Sequence, residues 1–256
     1  MYDLMFLHSG NLNVPNNIRA IVDTLFVKNA KIKLDALGLT NRHYMKSDKI
    51  QGEIQFSTGS NTARSSSNSF ALNNAYATLF EIRGVGIGKT SFKRRIGAGF
   101  TVAKSFLQTA YENDTFLLNQ LDLANNHSEN IVVKSERSIY KDTILAIDLE
   151  SNDVIKLSTI MRDAKKSKAI LERSRPDFYA LKSENKYIIN KLDNLGIRKT
   201  EIKLDTIILV EKYLVVNFKN DFKPYEKMKM QEVQTCLLYT SDAADDTPCV
   251  DLGGRR

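Results

Sequence analysis

Glu81 is set apart from the other acidic residues of the chain by what surrounds it. It lies near the end of an apolar run, Ala75 to Ile82, that is rich in β-formers and bounded on its far side by glycines at 84, 86 and 88. Such a run reads as a buried central strand entering a tight turn. A carboxylate at that place is costly unless it is solvated, paired or used, and ligand sites of open α/β sheets lie at the carboxyl ends of their strands. Glu81 is therefore a candidate for functional chemistry, and an internal ion pair with Arg83 or Arg94 is the structural alternative. A second chemistry competes for the same stretch. Gly84 to Thr90, GVGIGKT, sits between a strand and a helix, where a phosphate-cradling loop belongs. A P-loop has four residues between its outer glycines, whereas Gly84 and Gly88 enclose three, so fewer backbone N–H groups face a phosphate.

Metal chemistry is less well provided for. A catalytic zinc takes three protein ligands, usually with two at short spacing on one element. His8, His43 and His127 are isolated, with no HxxE or HxxxH pair among them.

The strand ending in Glu81, followed by Ile82-Arg83-Gly84-Val85-Gly86-Ile87-Gly88 and then by Arg94-Arg95 at the opening of a helix, resembles the bacterial zinc carboxypeptidases of the M14 family. The likeness extends upstream to Tyr2-Asp-Leu-Met-Phe-Leu7 with Asn11-Leu-Asn-Val-Pro15, through Arg64, Asn68 and Leu72, and downstream to Arg175-Pro176-Asp-Phe-Tyr-Ala-Leu181. The resemblance implies a peptide hydrolase in which Glu81 is the catalytic carboxylate. In such enzymes zinc polarises the scissile carbonyl, and the glutamate takes a proton from water and returns it to the leaving amine. It further implies that Arg64 and Asn68 contact substrate, the guanidinium by gripping a peptide carboxylate with two parallel hydrogen bonds. The tyrosine that closes over substrate in better-known members has no counterpart between Tyr44 and Tyr76.

The same resemblance places Met1 inside the catalytic domain, downstream of the paired His and Glu ligands and of the third ligand histidine. A leader for secretion or periplasmic export would lie further upstream. Zinc is accordingly expected in the full-length protein and not on this chain, which is expected to be inactive alone. His8 is a weak candidate ligand, because its distance from Glu81 approaches that between ligand and glutamate in some members. A non-catalytic peptide-binding protein of the same fold is the alternative, and a nucleotide-binding protein using Gly84 to Thr90 a more distant one.

The elements that would position these residues follow from periodicity. Pro15 and Asn16 introduce a helix whose Ile18, Ile21, Val22, Leu25 and Phe26 recur at three and four, with Gly38 as its C-terminal cap. The polar stretch from Thr40 to Ser69 reads as a loop with one strand at Gly52 to Phe56, and holds Arg64 and Asn68. Ser91 to Tyr111 reads as a long helix with Phe92, Ile96, Phe100, Ala103, Phe106, Leu107 and Ala110 on one face. Arg94 and Arg95 oppose its dipole, so acidic neighbours such as Glu81 are expected beside them.

Residues 1–126 are thus expected to be the C-terminal part of a carboxypeptidase-like α/β/α domain, a mixed sheet with flanking helices. Residues 131–235 read as a small, truncated α+β accessory region, with short strands at Ile131 to Lys134, Thr143 to Leu149, Asp177 to Leu181 and Thr206 to Val216. Its helix would run from Ser183 to Leu195, with Ser183 and Gly196 as caps. Cys236 to Asp246 and Cys249 to Arg256 read as one translated frame of a transposon-based sequencing adapter, so 236–256 is set aside. Both cysteines fall there, and no disulfide or thiol argument applies to the rest. The formal charge of +7 comes from lysines spread along the chain and mixed with acidic residues. That pattern is a solvated surface and not a nucleic-acid stripe. No run is long and apolar enough to span a bilayer.

Overall fold

The computed structural model describes residues 2–84, 89, 91–125, 130–202, 210–220 and 231–238. The first elements are β1 (Leu4–His8), α1 (Asn16–Ile21), a π-helical segment (Val22–Val27), α2 (Lys28–Ala36), β2 (Asn41–His43), β3 (Met45–Ile50) and β4 (Glu53–Thr58). They are followed by α3 (Ser66–Leu72), β5 (Thr78–Ile82), α4 (Phe92–Glu112), α5 (Asp114–Asn125), β6 (Ile131–Ile147) and β7 (Val154–Arg173). The last are α6 (Lys186–Asn194), β8 (Lys212–Asn220) and β9 (Gln231–Leu238). The chain is α/β with mixed sheets, the class expected from the sequence. It divides into two compact units, Met1–Arg175 and Pro176–Arg256. None of the described helices is long and apolar enough to cross a membrane.

In the first unit, β1 is the middle of the sheet β2-β1-β5, parallel to β2 and antiparallel to β5. The apolar stretch before Glu81 is therefore an edge strand in this sheet, where the sequence predicts a central one. Leu4 and Phe6 alternate onto one face, which β5 continues with Phe80 and Ile82. The helices cover that face: Leu4 and Phe6 are buried with Val22, Val27, Ala30, Leu34, Ala98 and Val102. Phe80 meets Phe6 and Phe106 edge-on, at centroid distances of 5.9 and 5.0 Å. Pro15 precedes α1 as expected, and Gly38 at φ 65° ends α2. There the N–H groups of Gly38 and Leu39 donate to the carbonyls of Asp35 and Leu34, closing the helix as a Schellman turn.

The polar stretch after α2 is more ordered than its composition suggests. β3 and β4 form a hairpin across Gln51 and Gly52, both at positive φ, and β4 pairs in parallel with β7. β6 and β7 are long antiparallel partners in the sheet β3-β4-β7-β6 of this first unit, where the sequence predicts two short runs along β6 and no strand over β7. Lysine stems can line a strand while their heads stay in water, which hides the alternation on which a strand assignment relies. In the second unit α6 begins at Lys186, with Asn185 preceding it and no side-chain cap, so Ser183 does not cap it. Gly196, at φ 68°, follows its end as expected. Asp177 to Leu181 forms no strand; β8 covers Lys212–Asn220, and Thr206 to Leu209 of the expected strand lie outside the described residues. β9 pairs with β8 and takes in Cys236 to Leu238, the first residues of the segment set aside as adapter-derived.

α4 turns unexpectedly. Ala98, Val102, Ser105 and Thr109 are buried, whereas Phe92, Ile96, Phe100, Leu107 and Tyr111 are exposed. Its small residues allow the close approach of α2, and the larger apolar stripe is left outward.

One buried acid joins most of these pieces. Asp3 is 2% exposed, and Arg94 of α4 grips it twice, Nε to Oδ1 at 2.6 Å and Nη2 to Oδ2 at 2.7 Å. The backbone N–H and the hydroxyl of Thr40, just before β2, donate to Oδ2 at 2.8 and 2.9 Å. Arg83 Nη1 stands 3.6 Å from Oδ1. Arg94 also donates to the carbonyl of Gly38, and Arg95 to that of Arg83. The cation expected to need an acidic neighbour thus finds Asp3 and not Glu81. The hydrogen bond from Arg94 holds the Asp3 carboxyl well below the ordinary carboxylate range, and the bonds from Thr40 add to this against the cost of burial. A depressed folded pKa places the stabilisation above pH about 4 and removes it as the pH falls below that value. Asp3→Asn is expected to cost about 2 kcal/mol at neutral pH, the modest figure reflecting a guanidinium half in solvent. Urea unfolding from pH 7 to pH 3 should also show a flatter acid limb in the variant than in the parent.

Candidate active site

Glu81 is the next-to-last residue of β5, beside Met5 of β1. Partners across an antiparallel pair share a face, so Glu81 lies with Met5, Leu7 and Leu79, opposite the face that carries Phe6 and Phe80. Arg42 of β2, paired with Met5, falls on that side as well and stacks over the ring of Tyr2 at 5.0 Å. The Glu81 side chain is exposed, and among the described residues no ion pair or hydrogen bond holds it. Arg83 and Arg94, the partners considered for an internal ion pair, both turn to Asp3. Val85 to Gly88 and Thr90, which follow, lie outside the described residues, and the nucleotide-loop expectation falls there.

The other expected residues are distributed differently. Asn68 is fully buried within α3, where its Nδ2 donates to the carbonyl of Thr62 at 2.7 Å and to Ser60 Oγ at 3.3 Å. It pins the turn that carries Arg64, which is exposed just ahead of α3. His8 ends β1 on the helix-covered face, with Leu4 and Phe6. Strand alternation therefore sets its side chain on the face opposite Glu81. The strand positions on the Glu81 face, Met5, Leu7, Arg42 and Leu79, are not a zinc-ligand set.

A second polar cluster was not legible from spacing. Strand pairing sets Phe6 beside His43, which brings the rings of His8 and His43 to 5.4 Å on one face. Asp23, in the π-helical segment, points its carboxylate at both: Oδ2 is 3.8 Å from His8 Nε2, and Oδ1 is 3.6 Å from His43 Nε2. Lys31 Nζ stands 3.3 Å from His43 Nε2. Burial pushes His8 down to about 4, further lowered by Lys165 and Lys31, while Asp23 opposes the shift. Burial, Lys165 and Lys31 push His43 down to about 3 against the same carboxylate. Lys31 is itself lowered, chiefly by burial. Both imidazoles are neutral at physiological pH, the form that binds metals. Residues 15 and 20 positions apart carry no local signature, so only the parallel pairing of β1 with β2 reveals the group.

Comparison with known proteins adds a family-level likeness. The chain is 25% identical over 241 residues to probable carboxypeptidase 2 of Arthroderma benhamiae, an alignment covering 92% of this chain and 46% of that protein. It is 27% identical over 245 residues to carboxypeptidase 2 of Trichophyton tonsurans, covering 92% of this chain and 45% of that protein. A similar likeness, 25% over 241 residues, relates it to carboxypeptidase 2 of Trichophyton equinum. These relatives are fungal, and the chain spans about half the length of each. No protein-family model and no solved structure matches it.

The two histidines make a prediction of definite sign. Their folded pKa values lie below the unfolded value of about 6.5, so the folded state is favoured in full above that pH and loses ground as the pH falls toward 4. Imidazole proton resonances assigned with His8→Gln and His43→Gln should show neither ring titrating between pH 8 and pH 5. A ring titrating near pH 6.5 would contradict the geometry.

Proposed function

We propose that the chain is the later part of a zinc-dependent metallocarboxypeptidase of the M14 family, which removes residues from the carboxyl end of peptides. The observation that carries this reading is an exposed carboxylate near the end of β5 that has no ion-pair or hydrogen-bond partner among the described residues. A glutamate kept for packing or ion pairing would have taken Arg83 or Arg94, yet both cations are committed to Asp3. The carboxypeptidase names of proteins similar over nine-tenths of the chain support the same class.

In this reading a Glu81 carboxylate oxygen accepts the proton of the water that attacks the scissile carbonyl. The same oxygen then returns it to the departing amine nitrogen. Arg64 is the proposed grip for the substrate's terminal carboxylate, and Asn68 positions it by fixing the turn at Thr62. Among the described residues the strand positions on the Glu81 face offer no metal-ligand set, so the catalytic zinc is assigned in this reading to an HxxE pair and a further histidine in sequence preceding Met1. The 256-residue chain alone is proposed to be inactive. Secretion or periplasmic export belongs to the same proposal.

The test is the upstream coding sequence and the protein it extends. A chain lengthened to include the HxxE pair should release carboxyl-terminal residues from peptides. Glu81→Gln should lower kcat by roughly 10²- to 10⁴-fold with KM nearly unchanged. Undiminished turnover in that variant, or an upstream sequence without the ligand pair, would overturn the assignment.

A further inference from the structure

We propose that His8, Asp23 and His43, brought together between β1, β2 and the π-helical segment, form a site for a divalent transition-metal ion of the zinc class. This site is separate from the Glu81 face and independent of the hydrolase reading. One ligand atom from each residue lies within 4.8 Å of the others. Ligands at bonding distance around a tetrahedral zinc are about 3.4 Å apart. The carboxylate stands 3.8 and 3.6 Å from the two ring nitrogens, too far for hydrogen bonds and within a few tenths of an ångström of coordination spacing. Two imidazoles and a carboxylate with a position left for water suit zinc, cobalt or nickel better than the oxygen-seeking magnesium or calcium.

Two further observations bear on the site. Asp23 sits in a π-helical stretch, an irregularity that is rare and frequently found at functional sites. Among the described residues the Nδ1 atoms of both histidines are buried without a hydrogen-bond partner, so neither ring has the outer hydrogen bond that usually orients a metal-ligating imidazole. Two cations oppose the ion: Lys165, whose charge also lowers both histidines, and the Lys31 ammonium, 3.3 Å from His43 Nε2. The latter occupies the space where a cation would approach, and its flexible stem lets it swing out. Metal and ammonium therefore compete, which gives substitutions around the site opposite signs.

The probe is Co²⁺ added to the untagged 256-residue chain carrying Cys236→Ser and Cys249→Ser, followed by visible absorption and competed with Zn²⁺. Expected are one ion per chain, absorption bands of a four- or five-coordinate site, and a melting temperature that rises with Zn²⁺ concentration, since an ion binding only the folded chain stabilises it. Asp23→Asn and His43→Gln should each weaken binding roughly tenfold or more. Lys31→Met should tighten it several-fold, and Glu81→Gln should leave it unchanged. Asp23 and His43 are less buried than His8, and melting curves without metal verify that their variants fold. Absence of stoichiometric binding, binding indifferent to both substitutions, or binding lost in Glu81→Gln would overturn the proposal. Failure of the hydrolase assignment would leave these measurements untouched.

Discussion

A buried carboxylate can be kept charged only if the protein replaces the water it has lost, and Asp3 achieves this with donors from separate parts of the first unit. The guanidinium of Arg94 comes from the first turn of α4, and both Thr40 donors come from the segment entering β2. Arg83, directly after β5, contributes a longer contact, and its own N–H donates to the Asp3 carbonyl. The node thus fixes where β5 ends, how α4 departs from it and where β2 enters beside β1. It also explains why two arginines can open a helix whose dipole disfavours them. Their local cost is offset by charge-assisted bonds that no position within the helix could supply.

This commitment determines the electrostatics around Glu81. Were Arg83 and Arg94 both turned the other way, Asp3 would be a buried charge left with only its two Thr40 donors. With both cations engaged, the carboxylate at the strand end is left to solvent. The sheet then divides two kinds of chemistry. One face holds the helix-covered core and, at its margin, the His8, Asp23 and His43 group. The other presents Glu81, Arg42 and a few apolar side chains. A strand's period of two makes this separation absolute, because neighbouring residues cannot serve the same side.

Several elements were legible because their signals are local. Pro15, the three-and-four spacing from Ile18 to Phe26 and the glycine at 38 mark the first helical layer, and the structure follows them to the Schellman turn at Gly38. The helix beginning near Ser91 was equally plain, but its orientation was not. A hydrophobic stripe says that a face seeks cover, without saying which neighbour provides it, and here small side chains gave α2 the closer fit. The middle of β6 and the whole of β7 were not legible because their charged residues obscure alternation, whereas the two ends of β6 were. Asn68 appeared as a loop residue, yet it lies inside α3 with its amide turned to the backbone of the preceding turn.

By itself the sequence determined the α/β class, the existence of a strand carrying Glu81 near its end, and the likeness to carboxypeptidases, since each rests on residues close together in the chain. Tertiary structure alone decided which acid the arginines bind, which side of the sheet Glu81 occupies, and that His8 and His43 meet Asp23. Those outcomes depend on strand register and helix docking, and a one-residue change of register in β1, β2 or β5 would send His8, His43 or Glu81 to the opposite face.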